Sequence, residues 1–168
     1  MATTAFTNSE CLRISAQLRS VLDGDAWHGP SLLALLNEIS PEQANARALS
    51  AAHSIWELTL HIEVWLRHAL AAMQGRPIPP FVDDMPPEEN WPLVKESSAA
   101  AWQAAKEKLL QTESKLASEI QEFGDERLRE AVPGRNYDFE RLLRGSVQHC
   151  VYHSGQIAIL MKAIQTPA

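Results

Sequence analysis

The chain of 168 residues is short of cysteine: Cys11 and Cys150 are two lone thiols, not the framework of bridges that staples small extracellular domains. It has no uninterrupted apolar run of about 18 residues, so no membrane span is expected. Its opening, "MATTAFTNSECLR", lacks the charged and apolar regions of a signal peptide. Positive charge is scarce too. The formal net charge of −6 offers no basic patch for nucleic acid or anionic lipid. No alternation of polar and apolar residues is long enough to argue for a sheet. HExxH, a Walker loop, GxSxG and a dinucleotide fingerprint are all missing, and the lack of any Glu-x-x-His pair disfavours a di-iron carboxylate bundle. With 45% hydrophobic residues, the chain is expected to fold as one cytoplasmic domain, 1–168.

Helical periodicity is what remains. A first helix is expected from the N-cap residues Asn8 and Ser9 to about Leu22. "WHGPSLLALLNEIS" reads as a loop entering a short helix with Pro30 in its first turn, and "SPEQANARA" as another, capped by Ser40 and opened by Pro41. The second long helix is announced by "SIWE", where Ser54 and Glu57 have capping-box spacing. It should run to about Met73, with Gly75 and Pro77 ending it. "RPIPPFVDDMPPEENWP" cannot continue a helix and is expected to act as a crossover or a lid. A third helix is expected over Val94–Phe123. A turn at Pro133–Gly134 follows, then a fourth helix from the N-cap Asp138 to about Ile164. Four long helices with two long connections predict an all-α four-helix bundle.

The histidines are judged by the face they occupy. At about 100° per residue, with His149 at zero, His153 falls near 40°, Leu142 and Leu160 near 20°, and Phe139 and Ile157 near 80°. Both imidazoles therefore lie in the apolar stripe of the last helix, while Arg141, Arg144 and Lys162 fall outside it. On the second long helix, His61 lies close to the arc of Trp65, Leu58, Ala69 and Ala72. Imidazoles buried without partners are costly. Two readings stay open: a metal site converging in the bundle core, or buried histidines hydrogen-bonded to waters or carboxylates. His68 stands about 10.5 Å along the axis from His61, too far to share an ion easily. His53 precedes the N-cap, and His28 either lines a pocket or covers Trp27. Glu57, four residues before His61, is spaced to accept an imidazole N–H and orient that ring, although the capping box alone accounts for it. Cys150 is turned about 100° from His149 and is counted neither as a ligand nor as a nucleophile.

"SIWELTLHIEVW", "EENWP" and "HCVYHSGQIAILMK" together resemble the DinB/YfiT-like superfamily of bacterial four-helix proteins. The resemblance implies an up-down-down-up bundle, often a homodimer, in which three side chains hold one divalent ion. Carried over by position, those ligands are His61, His149 and His153; Gln156 matches a motif position with no agreed ligand role. Relatives resemble low-molecular-weight-thiol transferases, a mycothiol-dependent maleylpyruvate isomerase, or metal-dependent hydrolases. The implied cofactors are zinc or nickel and, in one branch, a small thiol. The implied partner is a small-molecule substrate. A three-imidazole site would leave an open position for water or substrate, whereas structural zinc sites are closed by four protein ligands. The alternative expectation is a non-catalytic metal- or ligand-binding bundle of the stress response.

Overall fold

The computed structural model describes residues 9–76, 78 and 85–165. Its elements are α1 (Ser9–Leu22), α2 (Leu32–Asn37), α3 (Pro41–Asn45), α4 (Ile55–Met73), α5 (Pro87–Asn90), α6 (Ala99–Phe123), a 3-10 turn (Asp125–Arg129) and α7 (Phe139–Gln165). Among the described residues there are only two isolated β-bridges and no strand, and no helix is long and apolar enough to cross a membrane.

The helix starts follow local chemistry. Ser54 accepts from the Glu57 amide, and the Glu57 carboxylate accepts from the Ser54 amide at 2.8 Å, so two otherwise orphaned donors are satisfied together. Ser40 and Gln43 do the same for α3. Asp138 Oδ1 accepts from the Arg141 amide at 2.9 Å and opens α7. Three details depart from expectation. Pro30 lies upstream of the N-cap Ser31 rather than in the first turn of α2. The third long helix begins at Ala99, not Val94, because the Ser98 hydroxyl accepts from the Ala101 amide and fixes the start there. Part of the first connection is helical, as α5. Asn8 and Pro77 lie outside the described residues.

The start of α1 is capped from a distance. Asp125 Oδ2 accepts from the Glu10 amide at 3.0 Å and Oδ1 from the Cys11 amide at 2.9 Å, which ties the end of α6 to the beginning of α1. Burial alone would raise the Asp125 carboxyl, but these amide bonds outweigh it and hold the group below the usual range.

Paired contacts give the helix directions. Ser15 donates to the Ala117 carbonyl while Asp125 meets Cys11, so α1 and α6 are antiparallel. Trp56 packs on Trp102 and Thr112 donates to Glu63, so α4 and α6 are parallel. His61 meets His153 and Trp65 meets His149, so α4 and α7 are antiparallel. The order is up-down-down-up. Each long helix packs on two others, in the ring α1–α6–α4–α7. Leu18, Leu66, Leu109 and Leu143 are among the fully buried side chains at the centre, each contributing about 1.5–3 kcal/mol by its burial. Parallel α4 and α6 need a connection that travels the length of the bundle. That crossover, through α5 and Trp91, passes over the histidine face of α4.

Candidate metal centre

His61 comes from the middle of α4, and His149 and His153 from successive turns of α7. Their rings meet at the α4–α7 contact. His149 Nε2 lies 3.1 Å from His61 Nε2 and 3.0 Å from His153 Nε2, and the candidate donor atoms of all three residues lie within 4.8 Å of one another. No carboxylate or thiolate joins the group among the described residues. His61 and His153 are each 5% exposed.

The outer nitrogens define the protons. His61 Nδ1 stands 2.7 Å from the Asn90 backbone carbonyl. A carbonyl only accepts, so Nδ1 carries the proton and Nε2 presents a lone pair. His153 Nδ1 stands 2.6 Å from Gln156 Oε1, which selects the same tautomer with the side-chain amide in that orientation. His149 Nδ1 is buried and has no hydrogen-bond partner. If His149 carried its proton on Nε2, it would serve only one of its two neighbours and leave the other pair of lone pairs facing each other.

Three inward lone pairs are a donor set for a cation. Tetrahedral zinc with nitrogen ligands at about 2.0–2.1 Å separates its donors by about 3.3–3.4 Å, close to the 3.1 and 3.0 Å that separate His149 Nε2 from its two neighbours. The electrostatics agree. Burial, followed by the His153 and His53 rings, pushes the His61 imidazole down to about 4 against the pull of the Asn90 bond. Burial and the two partner rings push His149 down to about 3. Burial also lowers His153, against the Gln156 hydrogen bond. All three rings are neutral near pH 7, the state a metal ligand needs.

Aromatic groups hold the cluster in place. The Trp91 indole lies parallel to His61 at 3.8 Å between ring centroids and parallel to His53 at 3.6 Å. Trp65 donates to Asn90 Oδ1 at 3.0 Å, so the residue whose carbonyl orients His61 is itself held by α4. Two cavities reach the cluster. One, of about 480 Å³, is bordered by His61, Trp65 and His149; the other, of about 530 Å³, by His53, Tyr152 and His153. Trp91 borders both.

The other singled-out residues take separate places. His68 borders the first cavity, 3.4 Å from Glu89, outside the cluster. His53 reaches only the rim, stacked on Trp91. His28 is exposed and borders a separate cavity beside Trp27, but it does not cover Trp27, which is 102% exposed. Glu57 closes its capping box and pairs with Arg47 and His53. Cys150 is fully buried, and burial pushes its thiol up to about 12, which removes it as a nucleophile. Asn90 and Trp91 are the functional residues that periodicity missed. A backbone carbonyl carries no side-chain signature, although "EENWP" holds both. Arg141, placed off the core stripe, nonetheless borders the first cavity.

No curated protein and no solved structure matches the chain. The family model of the DinB superfamily matches residues 26–157, a span that holds the three imidazoles, the crossover and Gln156. The chain belongs to the DinB superfamily.

Proposed function

We propose that His61, His149 and His153 hold one divalent transition metal through their Nε2 atoms, and that the centre serves a small-molecule reaction in the adjoining cavities. One observation carries this reading: the buried imidazoles of His61 and His153 converge on the half-buried His149 in 3.0–3.1 Å steps while acceptors occupy the far nitrogens of the two buried rings. Zinc and nickel both suit imidazole ligands. The bound ion would supply Lewis-acid chemistry, polarising a carbonyl or acidifying a hydroxyl or thiol. The chain's own part is to fix tautomers through Asn90 and Gln156, to shield the cluster with Trp91, and to confine the guest.

Of the two reactions implied by the resemblance, we favour thiol S-transfer over hydrolysis because a thiol ionises more readily than water and needs a general base less. Among the described residues no carboxylate lines either cavity, and the imidazoles of His68 and His53 on their borders are the groups left to serve as a base toward water. Elemental analysis of purified protein should find about one transition-metal ion per chain, sharply reduced in His149→Ala. Metal-loaded protein is then assayed with small thiols and electrophiles in parallel with hydrolysable esters. Turnover confined to the thiol arm and lost in His153→Ala supports the transferase. Turnover of esters alone supports the hydrolase, and metal content unchanged in His149→Ala rejects the site.

A further inference from the structure

The first cavity carries more than the imidazole cluster. Its walls are mainly apolar, with Leu66, Ala69 and Leu142 among them; Arg141 and Tyr137 stand on its border, as does Arg135, which donates to the Ile78 carbonyl. In a chain with net charge −6, no Asp or Glu is found in that lining among the described residues.

The position of Arg141 is set by its neighbours. The nearby carboxylates are taken: Arg129 pairs with Asp138 and Glu140, and Arg144 pairs with Glu140 and Glu10. Arg141 forms no ion pair among the described residues. Its guanidinium lies 5.8 Å from the centre of the Tyr137 ring, over a face that leaves its N–H groups available to a guest. Along α7, Arg141 is eight residues before His149, a separation of about 12 Å. Gly145 lies between them and also borders the cavity. A Cβ built there meets nothing within 4 Å, so this glycine leaves open space where any side chain would project.

Resting on the metal reading above, we propose that this cavity selects an elongated small molecule bearing an oxyanion. Its reactive head lies at the three imidazoles, its apolar middle passes Gly145, and its carboxylate or phosphate tail pairs with Arg141. A guanidinium binds either anion through charge-assisted, bidentate hydrogen bonds, and Arg141, exposed at the border of the cavity, meets the tail where the apolar walls end. The guest is thus an acidic metabolite or an acidic thiol rather than a neutral one.

The test uses zinc-loaded protein and three probes that share one thiol head: mercaptohexanoate, mercaptohexyl phosphate and mercaptohexanol. By calorimetry, at least one acidic probe should bind about tenfold or more tighter than the alcohol, and the tighter of the two identifies the preferred anion. Arg141→Leu should erase that advantage while leaving metal content and alcohol affinity in place. Gly145→Leu, which fills the passage, should weaken all three probes. A metal-free arm separates this inference from the metal reading. Anilinonaphthalene sulfonate, an apolar anion, should bind the metal-free chain, with about tenfold weaker affinity in Arg141→Leu and loss of binding in Gly145→Leu. Equal binding of acid and alcohol probes by the native chain overturns the proposal. So does an undiminished sulfonate affinity in Arg141→Leu, whatever the metal content.

Discussion

At the scale of single residues, the site depends on groups that never touch its centre. Gln156 holds His153 in the tautomer that turns Nε2 inward. Partners of this kind around metal-binding histidines typically govern affinity by 10–100-fold. Gln156→Leu should therefore weaken metal binding by about 10–100-fold in a chelator competition, with the circular dichroism spectrum unchanged. Glu57 is the contrasting case. It lies one turn from His61, yet its carboxylate is engaged by the Ser54 amide, Arg47 and His53. Glu57→Ala should cost about 1 kcal/mol in urea unfolding through the lost cap and leave metal affinity untouched. A fall in affinity equal to that of Gln156→Leu would show that Glu57 orients His61 after all.

At the scale of elements, what could be foreseen followed from how local each cause is. Ser54 with Glu57 and Ser40 with Gln43 mark helix starts because donor and acceptor lie three residues apart, inside one sequence window. The beginning of α6 was misjudged for the same reason turned round: Val94, Lys95 and Glu96 suit a helix, but the hydroxyl of Ser98 decides the start. The cap on α1 could not be read at all, since Asp125 lies 114 residues beyond the amide of Cys11. Asp125→Ala should accordingly cost about 1 kcal/mol, and amide exchange should accelerate selectively in the first turn of α1. Uniform acceleration along α1 would instead mean that the cap supports the whole helix. The three imidazoles were legible because helical periodicity assigns faces. The Asn90 carbonyl was not, because periodicity is silent on main-chain acceptors. Arg141 was misjudged in its reach: a helical wheel gives an angle at the backbone, whereas a long side chain extends well past it.

For the whole molecule, burial of ionisable groups gives stability two opposing dependences on pH. In the metal-free chain, the His61 and His149 imidazoles titrate at about 4 and about 3, while in the unfolded chain histidine titrates near 6.5. Between those values the unfolded state binds more protons, so these groups make stability rise with pH from about 3 to about 6.5. Glu113 acts in the other direction. Burial raises its carboxyl above 4.5, so the folded state holds the extra proton and stability falls as pH rises from about 4.5 toward the raised value of the folded state. Chemical denaturation of the metal-free protein between pH 4 and 7 should show a rising limb that is flattened in a His61→Ala, His149→Ala double variant. Glu113→Gln should raise the unfolding midpoint at pH 7 relative to the native chain. A metal-free profile flat from pH 4 to 6.5 would mean that the imidazoles are not shielded from solvent as the packing indicates.

The parallel pairing of α4 and α6 obliges the chain to cross the bundle, and the crossing carries the carbonyl that steadies His61. A fragment ending before α7 owns one inward imidazole, and α7 by itself owns two. Neither piece can grip an ion with all three, so capture must await the closing of the last helix against the second. A cation lodged there would certify that the polypeptide has finished packing, and its release would be an early sign that α7 has begun to part from its neighbour.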